Sequence, residues 1–296
     1  MISNNVLDLI GNTPIVKINK LVGKNDATVL AKVERTNIGG SIKDRIAKYM
    51  IEKAEKEGKL TKNKIILEAT SGNTGIGIAM VAAVKGYKAV LVMPDSVSKE
   101  RRSVIKALGS EVILTNSEEW SAIETAQKMV KENAEKYFYL NQFNNEDNVL
   151  AHYETTGKEI IEQTNGKVDM LIAGIGTGGT IMGIRNRLKE FNLNIKIVAV
   201  EPFERKHIQG LRNMNEPYRP TIFDETKIDE KVNVTQEQAE NMTRKLAREE
   251  GLFVGISSGA AMHVAVQKAK ELEKGKNIVV ILPDLGERYL SNNVFK

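Results

Sequence analysis

The chain has no cysteine, three histidines and one tryptophan among its 296 residues. The absence of cysteine excludes disulfides, thiolate metal sites, iron–sulfur clusters and a cysteine nucleophile. Because His152, His207 and His263 lie far apart in the sequence, we also expect no histidine-based metal site and predict no metal cofactor. A chain without disulfides suits a reducing compartment such as the cytoplasm.

Long hydrophobic runs and a strong charge excess are also absent. No apolar stretch approaches the length of about 20 residues that spans a membrane, and residues 1–20 lack the charged-then-apolar order of a signal peptide. The net charge is +5, and the most basic cluster, residues 99–102 (KERR), contains an acid and is typical of a solvated helix face. We therefore expect neither a membrane nor a nucleic acid as a partner. These properties are typical of a cytoplasmic enzyme.

Short apolar strands alternate with amphipathic helices along most of the chain, which predicts an α/β fold of mainly parallel, twisted sheets flanked by helices. The predicted strands are residues 28–34, 64–69, 88–93, 111–115, 137–143, 170–174, 195–200 and 277–282. Their nearly continuous Val, Ile and Leu content is typical of strands buried on both faces. A polar stretch near residue 147 suggests an N-terminal domain at residues 1–147 and a C-terminal domain at residues 148–296. The first strands are candidates for crossing into the second domain.

Residues 37–45 read NIGGSIKDR and contain the first candidate for chemistry, Lys43. Ser41 and Asp44 have the spacing of a capping box, and apolar residues at helical spacing follow, so a helix is predicted with Lys43 in its first turn. A cation is unfavourable at that positive end of the helix dipole, which should lower the pKa of the amine. An uncharged amine is the nucleophile that forms Schiff bases. On these residues alone, a solvent-exposed lysine remains the alternative.

Two further segments each follow a predicted strand and begin a predicted helix. Residues 68–75 read EATSGNTG, and their backbone amides and small polar side chains suit a carboxylate. An ordinary capped turn is the alternative, although a cap needs fewer polar residues. Residues 255–260 read GISSGA and lack the G-x-S-x-G pattern of a nucleophilic serine. The Ser257 hydroxyl would be a suitable hydrogen-bond partner for a ring nitrogen. A role as a helix cap explains the presence of this serine equally well.

Residues 174–180 read GIGTGGT and are typical of a phosphate-binding loop at the start of a helix. The glycines also fit the dinucleotide pattern G-x-G-x-x-G, and Glu201 follows about 20 residues later, as a nicotinamide dehydrogenase would require. The hydroxyls of Thr177 and Thr180 favour a terminal phosphate with three acceptor oxygens. This loop alone leaves both interpretations open.

In their order along the chain, these segments resemble the cysteine synthase (O-acetylserine sulfhydrylase) family, pyridoxal-phosphate enzymes of the tryptophan-synthase-β type. The resemblance extends from residues 10–14 (IGNTP) to residues 286–291 (GERYLS). It implies a fold type II enzyme with two α/β domains, pyridoxal 5′-phosphate in the cleft between them, and an amino-acid substrate with sulfide. It also implies a homodimer and, as in some relatives, a partner whose peptide tail enters the active site.

The resemblance implies a role for each matching position. Lys43 would hold the cofactor covalently and act as general base toward the substrate α-proton. Ser257 would partner the pyridine nitrogen and leave it largely unprotonated. By the same resemblance, Asn73 would bind the ring hydroxyl of the cofactor. The cofactor phosphate would be bound by Gly176, Thr177, Gly178 and Thr180, and the substrate carboxylate by Thr70, Ser71, Thr74 and Gln142.

The implied reaction is β-replacement, in which an O-activated L-serine and sulfide give L-cysteine. Residues 211–216 (LRNMNE) are nearest to the B-type and O-phosphoserine-using branches, where an arginine at the position of Arg212 faces an anionic leaving group. A surface arginine is the alternative. Sulfide release from L-cysteine, giving L-serine or lanthionine, is the alternative reaction, with Asp229 or Asp224 as candidates to orient water. A catalytically silent sensor or binding paralogue is a further alternative, which the presence of the cofactor-matching residues disfavours.

Overall fold

The computed structural model describes residues 2–116, 119–216 and 218–296. The strands are β1 (Ile15–Lys17), β2 (Thr28–Val33), β3 (Ile65–Ala69), β4 (Ala89–Pro94), β5 (Glu111–Thr115), β6 (Tyr137–Tyr139), β7 (Met170–Gly174), β8 (Lys196–Pro202), β9 (Glu230–Val234) and β10 (Asn277–Leu282). The α-helices are α1 (Lys43–Lys56), α2 (Asn73–Lys85), α3 (Lys99–Ala107), α4 (Glu119–Glu132), α5 (Glu146–Ala151), α6 (Lys158–Thr164), α7 (Gly179–Phe191), α8 (Gln236–Glu250) and α9 (Ile256–Glu271). A π-helical segment, His152–Gly157, connects α5 to α6. Within the three described ranges, no helix is long and apolar enough to cross a membrane.

The strands form two sheets, which confirms the predicted α/β fold. One has six strands in the order β1-β2-β10-β7-β8-β9, and the other has four in the order β5-β4-β3-β6. Neighbouring strands are parallel except for the antiparallel pair β1–β2. The predicted strand at residues 137–143 ends early, at Tyr139, because the chain turns at Asn141, whose φ is 54°.

The two sheets do not divide the chain at a single point. β2 pairs in parallel with β10, close to the C-terminus, so β1 and β2 belong to the six-stranded sheet. The four-stranded sheet is formed by strands from residues 65–139. The boundary near residue 147 stays a prediction.

Helices cover both faces of each sheet, so strand residues alternate between two apolar cores. In β8, Val198 and Val200 lie in the core that contains α8 and α9, whereas Ile197 and Ala199 lie in the core that contains α7. The four-stranded sheet packs against α1, α2 and α3 on one face and α4 on the other. This arrangement explains the nearly continuous apolar sequence of the strands.

A buried ionic network joins elements from both sheets. Arg45, on α1, pairs through Nε with Glu34 Oε2 at 2.7 Å and through Nη1 with Glu159 Oε1 at 2.6 Å. Lys32, on β2, pairs with Glu159 Oε2 at 2.6 Å. Two cations and two carboxylates therefore neutralise one another away from water, as buried charges require. The network ties α1, which packs on the smaller sheet, to β2 of the larger sheet.

Candidate active site

A cavity of about 720 Å³ lies where the carboxyl ends of β3 and β7 lead into α2 and α7. The ligand-binding crevice of an open α/β sheet lies at this end of its strands. The sequence-predicted site residues that line the cavity are Lys43, Thr70, Ser71, Asn73, Thr74, Gln142, Gly176, Thr177, Gly178, Thr180, Arg212 and Ser257. Parallel strand order thus brings the four motif segments together with Gln142 and Arg212 at one place.

Lys43 is the first residue of α1 and is half-buried in the cavity wall. Burial lowers the pKa of its amine to about 8, and the negative charge of Asp284 opposes this shift. The main cause of the lowered pKa is therefore the loss of water around the amine. The predicted capping box does not form: Ser41 Oγ accepts from the Lys43 amide at 3.2 Å, but the Asp44 carboxylate accepts from the Gly39 amide at 2.7 Å.

Hydrogen bonds within the loop that connects β3 to α2, and between this loop and Gln142, fix the conformation of the loop. Thr70 Oγ1 accepts from the Gly72 amide at 3.0 Å, and Thr74 Oγ1 donates to Gln142 Oε1 at 2.7 Å. Gln142 Nε2 in turn donates to the Ala69 carbonyl at 3.0 Å. The first backbone N–H groups of a helix have no partner within the helix. The end of the loop is therefore a site where the first backbone N–H groups of α2 can bind an anion.

Glu68 lies directly beneath this loop and was not recognised from the sequence. Its carboxyl group is fully buried and accepts from the Ala69 amide at 3.1 Å and from the Gln142 amide at 3.3 Å. Burial raises the pKa of Glu68 to about 8, despite these hydrogen bonds. The available signal was an acidic residue inside the apolar strand IILEA. Glu68 therefore keeps its proton at neutral pH and supports Gln142 without adding charge.

The loop between β7 and α7 needs its glycines because other backbone and side-chain atoms approach it closely. A Cβ on Gly176 would lie 2.9 Å from the Gly210 carbonyl oxygen. Gly178 has a φ of +86°, and a Cβ there would lie 2.7 Å from Phe223 Cβ. The loop is thus a narrow turn at a helix start, the setting in which backbone amides bind phosphate.

Two residues outside the glycine motif support its threonines. Asn148 Nδ2 donates to Thr177 Oγ1 at 3.1 Å, and His152 Nε2 lies 3.2 Å from Thr180 Oγ1. The other His152 nitrogen, Nδ1, lies 2.9 Å from Thr156 Oγ1. Burial holds the pKa of His152 well below its usual range, so the ring is neutral and fixes the Thr180 hydroxyl. The π-helical turn that brings His152 here has no sequence signal that we recognise.

Asn73 and Ser257 occupy the first turns of α2 and α9. Asn73 Nδ2 donates to Asp284 Oδ2 at 2.8 Å, and Asn73 Oδ1 accepts from the Arg288 guanidinium. Tyr289 also donates to Asp284 Oδ2 at 2.8 Å. The C-terminal segment therefore fixes the orientation of the Asn73 amide. Ser257 is buried in the cavity wall.

Arg212 is buried and not a surface arginine. Its guanidinium lies 5.0 Å from the ring centre of Phe143 and 5.9 Å from that of Tyr218. Nη1 donates to the Tyr218 carbonyl at 2.7 Å. Aromatic stacking and a backbone hydrogen bond therefore hold this cation at the cavity wall.

The structure corrects the prediction that Asp229 acts in the site. Asp229 directly precedes β9, and its Oδ2 accepts from the Ile197 amide at 2.8 Å and pairs with Lys189 at 3.2 Å. It lies at the amino ends of the parallel strands, whereas the cavity lies at their carboxyl ends. Asp224 is not in the cavity wall either: it caps a short helical turn by accepting from the Thr226 amide at 3.1 Å.

Comparisons with known proteins agree with this arrangement. A model of the family described as "Pyridoxal-phosphate dependent enzyme" matches residues 6–284. A cysteine synthase of Staphylococcus aureus is 46% identical over 99% of this chain and 97% of its own length. Cysteine synthase B of Pseudomonas aeruginosa is 44% identical over 98% of this chain and 97% of its own length. The solved structure of a hydrogen sulfide-producing enzyme from Fusobacterium nucleatum has a TM-score of 0.92 at 44% identity, covering 98% of this chain and 100% of that one.

Proposed function

Because the chain belongs to the family of pyridoxal-phosphate-dependent enzymes, we propose that it catalyses β-replacement on an O-activated L-serine, with sulfide as nucleophile and L-cysteine as product. The observation that carries the proposal is a lysine amine with a pKa of about 8 in the same cavity as a glycine phosphate loop. Full-length similarity to cysteine synthases supports the reaction type. Family membership excludes the nicotinamide dehydrogenase interpretation.

The residues of the cavity fit pyridoxal phosphate. Gly176 and Gly178 form a close-packed turn that leaves no room for a Cβ, and this turn leads into α7, where the first backbone amides of a helix suit a phosphate group. The hydroxyls of Thr177 and Thr180 line the same part of the cavity. Ser257 adds a neutral hydroxyl, which suits a pyridine nitrogen that is to stay unprotonated.

We assign the cofactor contacts from these features. Lys43 would bind the cofactor covalently, Asn73 its ring hydroxyl and Ser257 its ring nitrogen, with Thr177 and Thr180 at the phosphate. When bound, pyridoxal phosphate supplies the electron sink that stabilises negative charge at the substrate α-carbon. The fixed Asn73 amide and the fixed Thr180 hydroxyl would hold the cofactor in one orientation.

Lys43 would also move the substrate α-proton. A general base needs a pKa near the working pH, and the lowered pKa of about 8 meets this requirement. Thr70, Ser71, Thr74 and Gln142 would bind the substrate carboxylate at the start of α2. Their mutual hydrogen bonds keep the loop in place before the substrate arrives.

We assign Arg212 to the leaving group. It is a buried cation at the cavity wall, and stacking on Phe143 and Tyr218 orients its guanidinium. A planar guanidinium binds phosphate or carboxylate oxygens through two parallel hydrogen bonds. This assignment favours an anionic leaving group such as phosphate.

A second candidate function is sulfide release from L-cysteine, giving L-serine or lanthionine. The similarity to the hydrogen sulfide-producing enzyme of Fusobacterium nucleatum favours it. Asp229 no longer contributes to this candidate, because it lies away from the cavity.

One assay separates the two reactions. The purified enzyme with pyridoxal phosphate is given O-acetylserine, O-phosphoserine or L-cysteine, while sulfide is measured and the amino-acid products are identified. We expect sulfide consumption and L-cysteine formation from an activated serine. Sulfide release from L-cysteine alone would support the second candidate. The absence of both reactions would contradict the proposal and favour a silent paralogue.

We further infer a cytoplasmic homodimer, as the resemblance to cysteine synthases implies. Light scattering after size-exclusion chromatography should give twice the 32.8 kDa of one chain. A mass equal to one chain would contradict this inference.

A further inference from the structure

Arg101 lies in the first turn of α3 and lines the cavity, although it belongs to the basic cluster expected on a solvated helix face. Only 3% of its surface is exposed. Its Nε and Nη1 atoms are buried and have no hydrogen-bond partner among the residues that the structure describes. Burying an unpaired charge is costly, so such a group is expected to have a partner in the working protein.

The side chain of Arg101 lies against the loop that precedes α2. A Cβ on Gly72 would lie 2.2 Å from Arg101 Cδ and 2.8 Å from Arg101 Nε, so the glycine is required for this contact. On its other side, the guanidinium lies 5.1 Å from the ring centre of Tyr289. Arg101 is therefore positioned between the predicted carboxylate loop and the C-terminal segment.

The acidic groups near Arg101 form hydrogen bonds to other residues, although Asp284 Oδ1 has no hydrogen-bond partner among the described residues. Asp284 Oδ2 accepts from Asn73 and Tyr289, and Glu100 Oε2 accepts from the Ser291 hydroxyl at 3.3 Å. The neighbouring Arg288, in contrast, donates to Asn73 Oδ1 and to a backbone carbonyl. Arg101 thus differs from Arg288 in that the described residues supply no acceptor for its Nε and Nη1.

We propose that Arg101 binds the α-carboxylate of the amino-acid substrate, together with the loop at residues 70–74; this rests on the function proposed above. In the loop itself, the Thr74 hydroxyl donates to Gln142, and the Gln142 amide donates to a backbone carbonyl, so both are partly used. These groups are neutral, whereas Arg101 supplies a full positive charge. A guanidinium–carboxylate pair forms two charge-assisted hydrogen bonds, which are about twice as strong as neutral ones.

Arg101 lies at a different part of the cavity from Arg212 and from the predicted phosphate loop. Arg212 contacts Phe143 and Tyr218, and the phosphate loop lies at the start of α7. Arg101 contacts the loop at the start of α2 instead. The substrate carboxylate is the anion assigned to that loop.

The test compares two ligands that differ in one charge. L-Alanine has a carboxylate but no β-leaving group, so it binds without elimination, and L-alaninamide lacks the charge. Binding to the holoenzyme is followed by the change in its visible absorption. For Arg101→Gln we expect L-alanine affinity to fall about 10- to 100-fold, the range for a hydrogen bond to a charged group. The affinity for L-alaninamide should not change, and Arg101→Lys should show an intermediate loss.

Arg102→Gln is the matched control, because Arg102 is adjacent in the chain but does not line the cavity. Its affinities should equal those of the wild type. Equal losses for both ligands in Arg101→Gln, or no loss for L-alanine, would overturn the proposal.

Thermal unfolding of the apoenzyme tests a purely structural role. Because two nitrogens of Arg101 have no hydrogen-bond partner in the described part of the chain, Arg101→Gln should unfold at the same temperature as the wild type or higher. A lower unfolding temperature without a selective loss of L-alanine binding would show a structural role and contradict the proposal. If the wild type turns over neither activated serines nor L-cysteine, the proposed function fails. If turnover is normal and Arg101→Gln binds L-alanine normally, only the role of Arg101 fails.

Discussion

Replacing Glu68 by glutamine should make the protein more resistant to alkaline pH. Glu68 is fully buried below the loop at residues 70–74, and its carboxyl oxygens accept from the backbone amides of Ala69 and Gln142. Burial raises its pKa from the ordinary 4.5 to about 8. Glutamine has nearly the same shape and keeps a carbonyl acceptor, but it has no proton to lose.

The magnitude follows from proton binding in the folded and unfolded states. Between pH 4.5 and about 8, the folded protein keeps the Glu68 proton while the unfolded chain has lost it. The unfolded state then binds fewer protons, so stability falls as pH rises, by about 1.4 kcal/mol per pH unit. The stabilisation is fully present below pH 4.5 and is lost as pH rises through about 8. Across this window the wild type should lose about 5 kcal/mol relative to Glu68→Gln.

The measurement is urea unfolding of the apoenzyme, from about pH 5 to about pH 9, for the wild type and Glu68→Gln. The difference between their free energies of unfolding isolates Glu68, since all other titrating groups are shared. Glu111→Gln, an exposed acid on β5, is the control and should give a curve parallel to the wild type. If the Glu68→Gln curve is also parallel, Glu68 is ionised in the folded protein and the reasoning is refuted.

Four further substitutions test the site. Lys43→Ala should abolish turnover and the visible absorption of the bound cofactor; retained turnover would contradict the role of Lys43. In the apoenzyme, the Lys43 amine should react with amine reagents with an apparent pKa of about 8, and a value in the ordinary lysine range would refute its burial. His152→Gln should weaken pyridoxal phosphate binding about fivefold, the cost of losing one hydrogen bond of about 1 kcal/mol in a polar network; unchanged affinity would show that Thr180 needs no support. Ser257→Asp should slow β-replacement, because a carboxylate would favour a protonated ring nitrogen; an unchanged rate would count against this contact. Arg212→Ala should raise KM for O-phosphoserine more than KM for O-acetylserine, and equal effects would argue against recognition of the leaving group.

The fold and the glycine loops could be predicted from the sequence because their signals are local. Continuous apolar strands, helix starts and glycine turns each occupy a few consecutive residues. The residues that line the cavity then follow from parallel strand order, which brings the carboxyl ends of strands together. The resemblance to cysteine synthases added the role of each position.

The residues that were missed or misjudged depend on contacts distant in sequence. Arg101 belongs to a sequence cluster typical of a solvated helix face, and only the folded chain buries it. His152 reaches Thr180 through a π-helical turn that the sequence pattern does not indicate. The error at Asp229 was avoidable, since a residue that precedes a parallel strand lies at the end opposite the site.

The position of β10 has a consequence for the order in which the protein can be made. β10 lies between β2 and β7 in the interior of the six-stranded sheet, yet it is synthesised after the other nine described strands. During translation, the strands of the smaller sheet, within residues 65–139, can pair while the larger sheet still has a gap at its centre. Asp284, which fixes Asn73, follows directly after that last strand. A nascent chain therefore cannot complete this cavity until residues 277–284 have left the ribosome, and loss of these residues would remove the centre of the sheet together with part of the site.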